Sequence, residues 1–258
     1  MNTSTPFKKV DICSVEIDNI SFDEAIREVI ALVKKKNFSY VVTPNIDHVV
    51  RSRRDPEFSE IYKKAALVLP DGMPLLWAGR FLGTPLKAKI SGSDLFPKLC
   101  GSAAQQGYRV FFLGGREEAA LKAADELKRT SPNLKVAGVY SPPFGFENNG
   151  VEVEYIIRMI NKACPDILFV GLGSPKQEKF IFRFKDRLKV PVSIGIGVSF
   201  EFIAGMVKRA PVWMQYAGLE WFWRLLMEPK RLWKRYLIDN PVFFLLILKQ
   251  KLGLQCAH

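Results

Sequence analysis

The residues best suited to chemistry sit in short polar turns that end apolar runs. Pro70-Asp71-Gly72-Met73-Pro74 places a carboxylate between a proline and a glycine, on a turn stiff enough to hold a general base in one pose. The same aspartate suits a helix N-cap or an Asx-turn, and the local residues leave both roles open. Thr43-Pro44-Asn45-Ile46-Asp47-His48 ends an earlier run in the same manner, with Asp47 and His48 placed to cap the helix that follows. Three glycine clusters complete the set: Gly114-Gly115 after Phe112-Leu113, Gly171-Leu172-Gly173-Ser174-Pro175, and Gly195-Ile196-Gly197-Val198-Ser199. Glycines let a backbone approach a ligand closely, and the free amides of a following helix attract a diphosphate. Each cluster reads equally as a tight turn of an α/β fold. None completes G-x-G-x-x-G or G-x-x-x-x-G-K-[ST], which disfavours a standard dinucleotide fingerprint and a Walker A loop.

Metal chemistry is not expected. His48 and His258 are the only histidines, and no D-x-D carboxylate pair is present. An enzyme that expels a nucleoside diphosphate without a metal must offset the developing charge with arginine, lysine and helix amides. The net charge of +12 supplies them and predicts an anionic partner: a phosphorylated substrate, a membrane surface or a nucleic acid. Between Val207 and Lys251 nine basic residues face three acidic ones. Here Trp213, Trp221, Phe222, Trp223 and Trp233 interleave with Arg224, Arg231, Lys234 and Arg235, and the run Phe243–Leu248 follows. Tryptophan and basic side chains suit the lipid–water interface, although the same rings could pack on a core. The longest apolar run there, Pro241–Leu248, is far short of the roughly 20 residues needed to span a bilayer.

Holding those turns requires a scaffold that delivers strand ends to one edge. Apolar runs at Val10–Ile17, Tyr40–Thr43, Leu67–Leu69, Arg109–Leu113, Lys135–Val139, Ile167–Gly171 and Val192–Ile196 predict strands buried on both faces. Helical segments separate them, such as Ser21–Lys35, which opens on the capping-box pattern Ser21-Phe22-Asp23-Glu24. The alternation predicts an α/β, Rossmann-like, mainly parallel sheet flanked by helices, with ligands at the carboxyl ends of the strands. The texture changes near Gly205, predicting a catalytic core over 1–205 and a helical, basic and aromatic appendage over 206–258. Cys13, Cys100, Cys164 and Cys256 form no C-x-x-C pair, and Met1–Val10 lacks an apolar signal run, so a reducing cytoplasm is expected.

Taken together and in order, Thr43-Pro44-Asn45, Pro70-Asp71-Gly72, Ser91-Gly92-Ser93-Asp94-Leu95, Phe112-Leu113-Gly114-Gly115, Gly171-Leu172-Gly173-Ser174-Pro175-Lys176-Gln177-Glu178, Gly195-Ile196-Gly197-Val198-Ser199-Phe200 and Arg209-Ala210-Pro211 resemble the WecG/TagA/CpsF family of bacterial glycosyltransferases. The resemblance runs from about Val10 to Tyr236. It implies inverting, metal-independent transfer of N-acetylmannosamine or a related sugar from UDP to a polyprenyl-diphosphate-linked N-acetylglucosamine, in cell-envelope polymer synthesis. The donor is a substrate, and no cofactor is expected. Asp71 matches the family's proposed base, Thr43 and Asn45 its polar residues beside the sugar, and Gln177 the glutamine of its Pro-Lys-Gln-Glu motif.

The glycine turns place Gly114, Gly115, Gly171, Gly173, Gly197 and Ser199 at the diphosphate, and the resemblance points to Glu201, commonly aspartate in relatives, for the ribose. Lys89 stands where relatives carry arginine, keeping the charge but losing the planar fork. Arg224 and Arg231, with Lys234 or Arg235, match arginines that the family's appendage adds to the site. That appendage implies peripheral attachment to the anionic inner leaflet of the cell membrane, and a homo-oligomer is left open. The other readings are a basic nucleic-acid-binding module, which leaves the glycine turns unexplained, an α/β dehydrogenase, and a same-family transferase using a UDP-hexose or UDP-uronate. On the family resemblance no nucleic-acid partner is expected.

Overall fold

A computed structural model describes residues 7–116, 118–234 and 240–254, with the backbone alone at 231, 234 and 240. In chain order the elements begin with β1 (Lys9–Ile12), β2 (Val15–Asp18), α1 (Phe22–Lys35), β3 (Ser39–Val42), α2 (Ile46–Arg54), α3 (Pro56–Lys64) and β4 (Leu67–Val68). Next come α4 (Met73–Leu82), α5 (Gly92–Gln106), β5 (Arg109–Gly114), α6 (Ala119–Thr130), β6 (Lys135–Tyr140), α7 (Gly150–Ala163), β7 (Ile167–Gly171), α8 (Lys176–Arg183), β8 (Val192–Gly195) and α9 (Ser199–Ile203). The tail forms α10 (Val212–Tyr216), α11 (Glu220–Met227), α12 (Pro229–Lys234) and α13 (Asn240–Lys251). No helix among the described residues is long and apolar enough to cross a membrane.

The chain divides into two compact units. Unit 1 comprises Met1–Phe22, Thr43–Ser91 and Arg209–His258, and unit 2 comprises Asp23–Val42 and Gly92–Lys208.

Unit 2 carries the parallel sheet expected from the apolar runs. Within it the strands lie in the order β3-β8-β7-β5-β6, each paired parallel to its neighbour. Every residue of β7 and β8 is buried, the signature of strands covered on both faces. Phe96, Phe112, Phe169 and Phe200 meet edge to face or tilted, with ring centroids 4.8–5.9 Å apart. Such pairs add to simple area burial, and truncating one ring would cost about 3–5 kcal/mol. The cluster sits directly under the glycine-rich strand ends, because Phe112 and Phe169 lie on β5 and β7 and Phe200 is the second residue of α9.

Unit 1 holds the other polar turns, and here one expectation fails. The run Val10–Ile17 is a hairpin, with Val10 opposite Ile17 and Ile12 opposite Val15. Cys13 and Ser14 turn it with φ of +52° and +71°, a primed-turn geometry usually filled by Asn-Gly, so the sequence carried no turn signal. Asp11 supports the turn by accepting from Ser14 N at 3.0 Å. Buried Asp18 accepts from Val68 N at 2.8 Å, tying β4 to the hairpin. Elsewhere in the unit, α13 packs on α2 and α4 and buries Phe243 and Ile247.

Candidate functional site

In unit 1, backbone hydrogen bonds lace three turns together. Asp71 N donates to Pro44 O at 2.8 Å, and Ile90 N donates to Pro70 O at 2.7 Å. Thr43, Asn45, Asp71 and Lys89 are thereby brought into one set of adjoining loops. Asn45, not Asp47 or His48, is the N-cap of α2: its Oδ1 accepts from Asp47 N at 3.0 Å and His48 N at 3.4 Å. His48 returns the contact, its Nδ1 lying 3.4 Å from Asn45 N and 3.1 Å from Tyr62 Oη. Histidine therefore fills the place of the Glu or Gln of an ordinary capping box. Asn45 Oδ1 is thus committed to the helix.

The cap role considered for Asp71 does not hold. The N-cap of α4 is Gly72, which has no side chain to accept from the helix amides and adopts φ +107°. That conformation is one only glycine adopts readily, and it lets the chain turn straight from Asp71 into the helix. Asp71 is half-buried, with a backbone held from both sides.

Lys89 reaches a partner the sequence did not flag. Its Nζ lies 3.9 Å from Glu220, and the other oxygen of Glu220 lies 3.6 Å from Arg209 Nε. One carboxylate on α11 thus stands between two cations. Arg209 was visible in the Arg209-Ala210-Pro211 motif, but nothing in the sequence marks Glu220, an isolated acid in a basic tail. Arg224 lies on α11, half-buried. The side chains of Arg231 and Lys234, and Arg235 entirely, lie outside the described residues.

In unit 2, the predicted anion-binding residues converge. Gly114, Gly171 and Gly195 end the adjacent strands β5, β7 and β8, and Gly115 N donates to Gly171 O at 2.8 Å. A methyl group on Gly114 would lie 2.6 Å from that same oxygen, and one on Gly171 would lie 2.6 Å from the Phe200 ring. These positions accept only glycine, because the aromatic cluster and the neighbouring backbone fill the space a Cβ would need. Gly173 and Gly197 have positive φ, +75° and +58°.

Only part of the expected helix support is present. Gly115 does not lead directly into a helix: α6 starts at Ala119, with Glu118 at its N-cap in a left-handed conformation. The turn after β5 therefore offers loop amides, not a helix terminus. After β7, α8 begins at Lys176 as expected, and its Lys176 pairs with Glu147 while lying 4.9 Å over the Phe144 ring. That hydrogen bond holds the Glu147 carboxyl below its usual range.

Gln177 is buried and works inside the unit. Its Oε1 accepts from Gly197 N at 3.0 Å and its Nε2 donates to Glu178 Oε1 at 2.8 Å, which fixes the β8–α9 turn from α8. Ser199 is similarly engaged, donating to Ile196 O and lying 3.3 Å from Ser93 Oγ. Glu201 differs. Its Oε1 accepts from Arg116 N at 3.0 Å, while its buried Oε2 has no hydrogen-bond partner among the described residues. A buried carboxylate oxygen without a donor is costly, and a ligand hydroxyl would relieve it. No group of three or more His, Cys, Asp or Glu among the described residues forms a set of metal ligands.

The chemistry available is therefore of two kinds: a carboxylate and an amide donor held on adjoining turns in unit 1, and glycine-lined strand ends with an unsatisfied acid in unit 2. The chain matches the model of the glycosyl transferase WecG/TagA/CpsF family over residues 10–257. It is 32% identical over 219 residues to the N-acetylglucosaminyldiphosphoundecaprenol N-acetyl-beta-D-mannosaminyltransferase of Bacillus subtilis (strain 168), covering 85% of this chain and 82% of that one. The protein of the same name from Staphylococcus aureus (strain MW2) is 30% identical over 245 residues, 94% of this chain and 93% of its own. On both grounds the chain belongs to the WecG/TagA/CpsF family of glycosyl transferases.

Proposed function

We propose that the enzyme transfers N-acetylmannosamine from UDP to the N-acetylglucosamine of a polyprenyl-diphosphate-linked acceptor, with inversion, without a metal, and with Asp71 as general base. The acceptor and the sugar follow the names of the relatives. The observation that carries the mechanism is the pose of Asp71: a half-buried carboxylate whose preceding peptide group is held by two backbone bonds, next to the glycine N-cap of α4. A base so fixed loses little freedom when it meets the proton it must remove.

In a single displacement, Asp71 takes the proton of the acceptor hydroxyl as its oxygen bonds to the anomeric carbon. The bond from that carbon to the UDP oxygen breaks, the electron pair leaves on the diphosphate, and the configuration inverts. The glycine turns at Gly114, Gly115, Gly171, Gly173 and Gly197 present amides to the diphosphate, and Glu201 Oε2 accepts from a ribose hydroxyl. Lys89 and Arg224 offset the developing charge. Asn45 donates its amide to an oxygen of the sugar, beside Thr43.

The tail supports work at the cytoplasmic face of the membrane. Trp213, Tyr216, Phe222 and Trp233 are exposed, as are Leu245 and Leu248, among the basic residues that would meet anionic headgroups.

The test is release of UDP from a panel containing UDP-N-acetylmannosamine, UDP-N-acetylglucosamine, UDP-glucose and UDP-glucuronate. Each donor is assayed with and without a short-chain lipid-diphosphate N-acetylglucosamine, and with and without a chelator. Acceptor-dependent release from UDP-N-acetylmannosamine, indifferent to the chelator, is the expected result. Faster acceptor-dependent release from another donor would overturn the sugar assignment, and chelator-sensitive release would overturn the metal-free mechanism.

A further inference from the structure

The C-terminal helix α13 does more than present apolar residues. Phe243, Ile247 and Gln250 are spaced by four and three residues and so form one stripe along its inward face. The first two are buried, and the third ends the stripe in a set of hydrogen bonds to the β1–β2 turn. Gln250 Oε1 accepts from Cys13 N at 2.8 Å, and Gln250 Nε2 donates to Asp11 O and Asp11 Oδ1, both at 3.1 Å. One carboxamide thus uses both ends to hold a turn whose two residues have positive φ. Beside it, Lys251 Nζ lies 5.8 Å from the Phe81 ring centroid, at the far end of α4.

The helices that α13 touches are α2 and α4. Their N-termini carry Asn45 and the Asp71-Gly72 turn, which are joined by the bond from Asp71 N to Pro44 O. Helices are stiff rods, so the placement of their N-termini depends on what packs along their length.

We propose that α13, fastened by Gln250, is a brace that sets the positions of α2 and α4 and through them the pose of Asp71, making Gln250 a positioning residue for the transfer reaction. The catalytic half of this inference rests on the function proposed above, and its structural half stands alone.

The experiment uses the full chain with Gln250→Ala, read by hydrogen exchange and by steady-state kinetics on UDP-N-acetylmannosamine and the short-chain acceptor. Exchange at Asp71 and in the first turn of α2 is expected to rise about ten-fold, while β5 and β7 of unit 2 keep their protection. The kcat is expected to fall about ten- to a hundred-fold at unchanged donor KM, as for a misplaced but intact base. Gln250→Glu keeps an acceptor for Cys13 N but sets a second carboxylate oxygen where the donor to Asp11 O and Oδ1 stood, so it should loosen the same amides and lower kcat as Gln250→Ala does. Loosening confined to Cys13 and Ser14, with Asp71 still protected, would overturn the brace. So would a uniform loss of protection in both units. A wild-type protein inactive on this substrate pair would instead sink the function proposal, and exchange would still decide the brace.

Discussion

The two units hold their polar groups in opposite ways. In unit 2 the positions are fixed by exclusion: aromatic rings and adjacent carbonyls leave no room for a Cβ at Gly114 or Gly171, and Gln177 locks the next turn through its own amide. In unit 1 they are fixed by backbone bonds between loops, from Asp71 N to Pro44 O and from Ile90 N to Pro70 O. The first arrangement suits a rigid cradle for an anion, and the second suits groups that must exchange a proton. Substitutions in unit 2 should therefore register in stability and donor affinity, and those in unit 1 in turnover.

The largest expected effect tests the unit 1 side. Asp71→Asn keeps the shape and should lower kcat by roughly 10²–10⁴, with little change in donor KM or thermal stability. An unchanged rate would remove Asp71 from the mechanism and erase the contrast. Gly114→Ala comes next. The alanine must tolerate φ +105° and a carbonyl oxygen 2.6 Å from its Cβ, so equilibrium denaturation should show a loss of roughly 2–4 kcal/mol. Native stability in this variant would mean that the cradle is softer than its packing indicates.

Glu201→Gln is subtler. If Oε2 serves a ribose hydroxyl, the variant should raise donor KM about ten-fold at constant kcat, the expected size for a hydrogen bond to a charged group. A fall in kcat instead would move Glu201 from binding to chemistry.

The smallest effect lies at the end of β6, the strand beside β5. Tyr140 donates to Glu152 at 2.5 Å, and that bond, with burial second, pushes its hydroxyl up to about 12. Because the folded value is raised, the bond's contribution is complete below pH 10 and disappears as pH rises toward 12. Tyr140→Phe should cost about 1 kcal/mol at neutral pH, and the gap from wild type should close across that window with donor KM unmoved.

Most of the fold was legible because buried parallel strands write themselves as apolar runs. Six of the seven predicted runs became strands within one or two residues, and Ile167–Gly171 matched outright. The hairpin was missed because Cys13 and Ser14 carry the turn on side chains that disfavour positive φ, a cost offset by tertiary bonds from Gln250 no local pattern could show. The same limit hid the Lys89–Glu220–Arg209 arrangement, whose members are far apart in sequence. The glycine turns were found because glycine is the only residue that satisfies them, although whether a helix followed at once was misjudged after Gly115. Asp71 was ambiguous locally, since caps and bases favour the same residue. Gly72 at the N-cap sets aside the helix-cap reading, and the base role stands as the proposal above.

Gln250 and Asp11 are 239 residues apart, and this separation sets an order of events during synthesis. All segments of unit 2 have been made once Lys208 has been added, whereas unit 1 draws on chain from Arg209 onward and on a bond that needs residue 250. The sheet with its glycine turns can therefore begin to consolidate on the ribosome while the hairpin, α2 and α4 still lack their last partner. A polypeptide cut short after α12 would retain every glycine turn of unit 2 and lose the helix that packs on α2 and α4.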